Sequence, residues 1–431
     1  MMVLGVIADD FTGATDIASF LVQNGLSTVQ INGVPSGKLD TDADAIVISL
    51  KSRSCPADQA VHDSLQALKW LQQQGAERFY FKYCSTFDST AKGNIGPVTD
   101  ALLHALGETQ TVMSPALPVN GRTVYKGHLF VMDQLLSNSG MRNHPVTPMT
   151  DSNLLRLIES QAEGKAGLID AQTLESGVEK VQQKLAKLAQ ENIRYVVLDA
   201  LNEEHLVIQG EALSAMKLVT GGSGLAIGVA RAAVKARQDK ETAHQQDEEQ
   251  QQAQAAGYPC GEHAVVLSGS CSTMTNAQVA KYRQQAPSKA IEIAAVLENV
   301  QGYATQLCDW VAQNSAQSLA PLLYATADNE ALKKIQQQYG AQKSSEAIEH
   351  LFSLIVSELK NRGWQRFIVA GGETSGVVAQ TLGIDVFHIG PVISPGVPWV
   401  KAVNQPISLA LKSGNFGDEN FFARAQTEFP L

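Results

Sequence analysis

The sequence predicts two α/β domains with mainly parallel sheets. Three observations carry this. Short apolar runs rich in β-branched residues alternate with longer helix-patterned stretches, and small polar loops follow the apolar runs. A polar tract from Arg237 to Ala256 then interrupts this grammar before it restarts. At 431 residues the chain also exceeds one ordinary core, since domains hold roughly 100 to 200 residues each.

The first apolar run, Val3 to Ala8, leads into Asp9-Asp10-Phe11-Thr12-Gly13-Ala14-Thr15 and then an apolar-periodic stretch to Val22, which reads as strand, loop, helix. The pattern recurs at Ala45 to Leu50 before Lys51-Ser52-Arg53, and at Arg78 to Tyr83 before a Ser/Thr/Asp loop. It returns at Tyr195 to Leu198 before Asp199, and at Lys217 to Thr220 before Gly221-Gly222-Ser223-Gly224. Helical patterns at Asp58 to Gly75 and Val178 to Gln190 lie between these runs, so the sheet should be mostly parallel and covered on both faces. The Gln- and Glu-rich tract marks a boundary, with a helix from Leu225 fraying into a linker. This places the first domain at 1–235, a polar linker or helix extension at 236–259 and the second domain at 260–431. In the second, His263 to Leu267 precedes Ser268-Gly269-Ser270, and Arg366 to Ala370 precedes Gly371-Gly372-Glu373-Thr374-Ser375-Gly376.

A net charge of -10 argues against a nucleic-acid surface, because such proteins concentrate Lys and Arg to neutralise phosphates. Five scattered cysteines with no C-x-x-C and no His at metal spacing fit free thiols in a reducing cytoplasm. The N-terminus shows no basic n-region, no apolar stretch of roughly 18 residues and no cleavage site, so neither export nor a membrane anchor is expected.

In open parallel sheets, ligands bind beyond the carboxyl ends of the strands, which directs attention to the loops. Gly371 to Thr374 begins a helical run, where small residues let backbone N–H groups approach a phosphate and the helix dipole favours its charge. Ser268 to Ser272 repeats the design, and Ser413-Gly414-Asn415-Phe416-Gly417 adds a third loop. Singly, each is equally a turn that only needs glycine; together they make a nucleotide cradle. No G-x-x-x-x-G-K-[ST] occurs. Gly222 to Gly228 approaches the dinucleotide fingerprint with its last glycine one residue late, which keeps an NAD-dependent dehydrogenase open as an alternative, beside a non-catalytic sensor of its ligand.

The N-terminal loops differ in character. Asp9 and Asp10 can supply a base for a hydroxyl proton and a Mg²⁺ contact, whereas helix capping would explain one acid but not both. Arg53 and Lys82 at strand ends suit a carboxylate-bearing substrate. Ser85, Thr86, Asp88, Ser89, Thr90 and Asn94 crowd the same loop with groups suited to a polyhydroxy ligand. Asn120-Gly121-Arg122 and His144 through Ser152 add polar loops, with His144 read chiefly as a loop histidine.

These residues resemble the four-carbon acid sugar kinases, in which a sugar-acid-binding N-terminal domain is joined to a nucleotide-binding C-terminal domain. The marks span nearly the whole chain: Ala8 to Ala14, Asp88-Ser89-Thr90 with Gly93-Asn94, Pro115-Ala116 with Gly121-Arg122, Pro148-Met149-Thr150, Gly221 to Gly224, Gly371 to Thr374 and Ser413 to Gly417. The forms Lys82 to Thr90 and His144 to Asp151 look like the branch acting on 3-oxo-tetronates; branches acting on threonate or erythronate tend to carry Leu-Arg where this chain has Ala91-Lys92. The resemblance implies transfer from ATP, with Mg²⁺, to the C4 hydroxyl of 3-dehydro-erythronate. It implies ATP contacts at Ser268, at Gly371, Gly372, Glu373 and Thr374, and at Gly414, Asn415 and Gly417. Substrate contacts are expected from Arg53, Lys82, Ser85, Asp88, Ser89, Thr90, Asn94 and Arg122. Asp10 is the expected base, with Asp9 second and Asp88 or Asp199 next. The oligomeric state, a homodimer included, stays open.

Overall fold

The computed structural model describes residues 2–143, 147–238, 246–412 and 414–430. The chain divides into two compact units, Met1–Ala253 and Gln254–Leu431.

The first unit alternates strands and helices: β1 (Leu4–Ala8), α1 (Phe11–Gln23), β2 (Thr28–Asn32), β3 (Ala45–Ser49), α2 (Ala57–Gln73), β4 (Phe79–Lys82), α3 (Ile95–Leu106) and β5 (Thr111–Ser114). A small antiparallel sheet follows, β6 (Arg122–Tyr125), β7 (His128–Val131) and β8 (Gln134–Leu135). Then come α4 (Leu154–Glu159), β9 (Lys165–Ile169), α5 (Ala171–Glu175), α6 (Val178–Gln190), β10 (Ile193–Leu198), α7 (Glu203–Ala212), β11 (Leu218–Gly221) and α8 (Leu225–Gln238). The main strands lie in the order β2-β3-β1-β4-β11-β5-β10-β9, all parallel. Strands β1 (LGVIA), β3 (AIVIS) and β4 (FYFK) are buried at every position, as a sheet covered on both faces requires.

Strand order fixes where a ligand can sit. The β1-to-β2 crossover runs toward one edge and the β3-to-β4 crossover toward the other, so right-handed connections put α1 and α2 on opposite faces. Contacts agree: α1 packs beside α8, and α2 beside α3. The crevice this reversal opens lies at the carboxyl end of β1, where Asp9 and Asp10 leave the sheet.

The tract read as linker or helix extension is helical on both sides of residues 239–245, which lie outside the described residues: α8 runs to Gln238, and α9 spans Gln246–Ala255.

The second unit contains β12 (Ala264–Ser268), α10 (Thr273–Tyr282), β13 (Ser288–Ala290), α11 (Ile293–Gln313), β14 (Leu322–Tyr324), α12 (Asn329–Tyr339), α13 (Ala341–Asn361), β15 (Arg366–Ala370), α14 (Gly372–Leu382), β16 (Val386–Ser394), β17 (Val397–Ala402), β18 (Ser408–Lys412) and α15 (Phe421–Thr427). Strands β13-β14-β12-β15-β18 are parallel; β17 and β16 extend the sheet antiparallel from β18. Val266, Ile368, Trp399, Ala410, Phe421 and Phe422 form its core. Crossovers from β12 and β15 again run in opposite directions, which opens a second crevice at Ser268 and Gly371. The five cysteines are free, and no helix among the described residues is long and apolar enough to cross a membrane.

Candidate functional site

In the first unit, four strand ends are level. Ser49 of β3, Ala8 of β1, Lys82 of β4 and Gly221 of β11 share one register row, so the residues after them emerge together. The Asp9 carbonyl accepts from the N–H groups of Ser52 and Arg53 at 2.9 and 3.2 Å, which folds the β3 loop back over β1. Arg53 then grips the Asp9 side chain with both edges of its fork, Nε to Oδ2 and Nη2 to Oδ1, each 2.9 Å. The same Nη2 lies 2.9 Å from Asp10 Oδ1. Burial pushes the Asp9 carboxyl above the usual carboxylate range, against the pull of Arg53.

Asp10 is more open. Its backbone is extended and its Oδ1 accepts from the Gly13 N–H at 2.8 Å, the geometry of an N-cap for α1. No hydrogen bond to its Oδ2 is formed among the described residues.

Lys82 ends β4 with a buried side chain, and among the described residues it makes no hydrogen bond or ion pair. Its ammonium lies beside the first turn of α1: a β-carbon on Gly13 would sit 2.8 Å from Nζ and would also strike Asp10 Oδ1. Gly13 is therefore the gap through which a cation and a carboxylate share one helix start. Burial raises the carboxyls of Asp9 and Asp16, and the lysine's field opposes that rise. A buried ammonium with carboxylates nearby but no direct hydrogen bond or ion pair has its donors unsatisfied, and a bound anion would satisfy them.

A small cleft beside this cluster is lined by Asp9, Ser52, Arg53, Asp88, Ser89 and Asn94, with Phe81, Ile95 and Val98 as its apolar wall. Several residues expected to touch substrate also have structural duties. The Asn94 amide donates to the carbonyls of Ser52 and Cys55 at 2.7 and 2.9 Å and so holds the Arg53 loop. Ser89 Oγ donates to Gln161 Oε1 at 2.7 Å, and Asp88 Oδ1 accepts from Thr86 Oγ1 at 2.6 Å. Ser85 and Thr90 are half-buried on the same loop. Arg122 is not brought to this cleft: it opens β6, where Nη1 donates to the Asn120 carbonyl and Nε is buried without a partner. Asp199 accepts three backbone N–H bonds, from Lys126, Gly127 and Ala171 at 2.8 to 3.0 Å, the pattern of a carboxylate that fastens loops together. His144 lies outside the described residues.

Sequence reasoning missed Asp16. It sits on α1, where Ser223 Oγ donates to its Oδ2, and burial raises its carboxyl. The available signal was one acid inside an otherwise apolar helical run, with a serine inside the Gly221 to Gly224 motif as partner. That motif also corrects the dehydrogenase alternative. A β-carbon on Gly224 would collide with the Ala116 carbonyl, and Gly210 and Gly228 press α7 and α8 together backbone to backbone. These glycines are used up by packing, leaving none to cradle a pyrophosphate.

In the second unit, Tyr324, Ser268, Ala370 and Lys412 form a level row at the carboxyl ends of β14, β12, β15 and β18. Ser268 Oγ is 2.6 Å from Thr326 Oγ1. Gly371 has φ +127°, a conformation glycine adopts readily, and starts α14 with its N–H on the Lys412 carbonyl at 2.9 Å. Over Gly372 a β-carbon would meet nothing within 4 Å, so the first turn of α14 faces open space with N–H groups a helix cannot satisfy itself. Glu373 is exposed on that turn and Thr374 is buried under it. Gly414 packs against the Ser270–Ser272 turn, Asn415 is exposed, and Gly417 has φ +78°. Ser413 lies outside the described residues. Lys412 itself was missed, although SLALK carries the same signal as FYFK, a lone lysine closing an apolar strand just before a polar loop.

One α/β unit thus gathers carboxylates around a buried cation, and the other surrounds an open helix start with small residues. This is the architecture that two family models describe: a sugar-binding N-terminal domain matches residues 4–229, and a nucleotide-binding C-terminal domain matches residues 265–422. The chain belongs to the four-carbon acid sugar kinase family. It is 64% identical over 432 residues to the 3-oxo-tetronate kinase of Pectobacterium atrosepticum, and 61% identical over 433 residues to that of Salmonella typhimurium, each match covering 100% of both chains. Among solved structures, it resembles a Salmonella typhimurium protein described as a putative tRNA synthase (61% identical, TM-score 0.92, 100% of both chains). It also resembles a Haemophilus influenzae protein (53% identical, TM-score 0.89, covering 99% of this chain and 100% of that one).

Proposed function

We propose that this chain transfers the γ-phosphoryl group of ATP to the C4 hydroxyl of a 3-oxo-tetronate such as 3-dehydro-erythronate. The observation that carries this reading is the buried Lys82, which makes no ion pair among the described residues although Asp9, Asp10 and Asp16 surround it, in a chain that matches proteins named 3-oxo-tetronate kinase end to end. A sugar-acid carboxylate offers its ammonium the direct partner that these carboxylates, beyond ion-pair distance, do not. Arg53 contributes by locking Asp9 and touching Asp10, which fixes the acidic pair relative to the substrate.

Phosphoryl transfer asks the protein mainly for positioning and charge neutralisation. In this reading Asp10 takes the hydroxyl proton, its Oδ1 being held by the α1 cap and its Oδ2 bonded to no described residue, while Asp9, enclosed by Arg53, is the orienting partner. ATP is assigned to the second unit, where the open start of α14 and the small residues at Ser268, Gly371 to Thr374 and Gly414 to Gly417 fit its phosphates. Mg²⁺, which supplies charge neutralisation when bound with ATP, needs only one or two protein carboxylates, and Asp9 or Asp10 can offer them; no group of three candidate ligands stands among the described residues. An RNA-directed activity finds no support in a chain of net charge -10.

The test is ADP release with Mg-ATP over threonate, erythronate and their 3-oxo forms. The 3-oxo acids should turn over and the reduced acids should lag far behind. Release with none of the four would refute the reading.

A further inference from the structure

Lys412 stands in the second unit much as Lys82 stands in the first. It closes β18, is 1% exposed, and has no carboxylate within ion-pair distance among the described residues. Its Nζ donates to Thr275 Oγ1 and to the Gly414 carbonyl, both at 3.0 Å, and Thr275 Oγ1 in turn donates to the same carbonyl at 2.7 Å. The groups that face it are neutral: the Thr275 hydroxyl from α10, the Gly414 carbonyl from its own loop, and the Phe421 ring of α15 with its centre 6.0 Å away.

An ammonium held only by neutral oxygens carries a desolvation cost those oxygens do not offset. Burial alone pushes the Lys412 amine down to about 8. The position explains why such a cost is tolerated. Lys412 is level with Ala370, its carbonyl holds the Gly371 N–H, and its amine holds the Gly414 carbonyl, so one residue ties two of the three small-residue loops. A carbonyl oxygen drawn inward is also one that does not face an incoming anion.

We propose that Lys412 is a positioning residue of the nucleotide site, turning the Gly414 carbonyl inward and leaving its own positive charge beneath the phosphates of bound ATP. The inference rests on assigning ATP to this unit. It is tested by calorimetric binding of ATP, ADP and adenosine to the full chain, as wild type, Lys412→Gln and Lys412→Met, with thermal unfolding as the folding control. Glutamine keeps a donor toward Thr275 and Gly414 but removes the charge. Both variants should lose ATP affinity by about tenfold to a hundredfold, ADP affinity by less, and adenosine affinity hardly at all.

A second measurement needs no variant. Wild-type binding of ATP near pH 8, compared in two buffers of different ionisation heat, should show net proton uptake as the phosphates recharge the amine. Equal losses for all three ligands, unchanged ATP affinity in Lys412→Gln, or no proton uptake by a wild type that binds ATP would overturn the role of Lys412 alone. A wild type that does not bind ATP would overturn the nucleotide assignment with it.

Discussion

Replacing Arg53 by methionine keeps the length and apolar stem of the side chain but removes the fork that holds Asp9. The Asp9 side chain is 8% exposed and would lose two charge-assisted hydrogen bonds of 2.9 Å. Removing one partner of a buried ion pair costs about 3–5 kcal/mol; Arg53 is itself 25% exposed, so water can enter the space and about 3 kcal/mol is the expected loss at neutral pH. The pH dependence gives the mechanism away. The Asp9 carboxyl is already raised by burial, and without the Arg53 charge it rises further. An acid whose folded pKa lies above its unfolded value binds more protons in the folded state, so folding gains stability as pH falls through that pKa toward the unfolded value. The deficit of Arg53→Met relative to wild type should therefore shrink between pH 7 and pH 5, read by urea denaturation of the full chain. Adding Asp9→Asn to the variant should recover much of the lost stability, because the orphaned charge is gone. A deficit that stays constant or grows on acidification, or a double variant no more stable than the single one, would refute the argument.

The remaining predictions concern catalysis and the nucleotide loops. Asp10→Asn preserves the N-cap acceptor but cannot take the hydroxyl proton, so kcat should fall by about 10²–10⁴ with the KM for the acid little changed; if Asp9→Asn lost activity and Asp10→Asn did not, the two roles would be exchanged. Gly371→Ala and Gly372→Val form a contrasting pair. The first meets φ +127° and a contact of 3.0 Å to Thr374 Oγ1, so it should cost about 1–3 kcal/mol of stability. The second extends into open space and should leave stability nearly intact while raising the KM for ATP. Unchanged ATP kinetics in a folded Gly372→Val protein would place the cradle elsewhere.

Much of this architecture was legible in the residues because parallel sheets speak plainly: buried strands such as LGVIA and AIVIS are continuous apolar runs, and polar loops must follow them. The loops after β1, β3, β4, β12 and β15 could be located in the same way. What stayed hidden depends on which partner a side chain finds. Nothing in the spacing tells that Asn94 spends its amide on the Ser52 and Cys55 carbonyls, or that Ser89 meets Gln161 seventy-two positions away. The antiparallel β6–β8 sheet was missed because its strands are short and half-exposed, without the apolar continuity that marks the others. Asp16 and Lys412 each sit inside a regular element, where a lone charged residue in an apolar run carries no loop signal.

The contact between Gly210 and Gly228 has a consequence for the tolerance of the chain to change. With no side chain on either residue, α7 and α8 meet main chain to main chain, and α8 begins just after Ser223, the donor to Asp16. A methyl group at either glycine would wedge the helices apart and tilt the segment that delivers Ser223. Two positions on the outer layer, with no chemistry of their own, thereby become among the least replaceable in the first unit. A scan of variants would flag them as if they were catalytic, when what they protect is an angle.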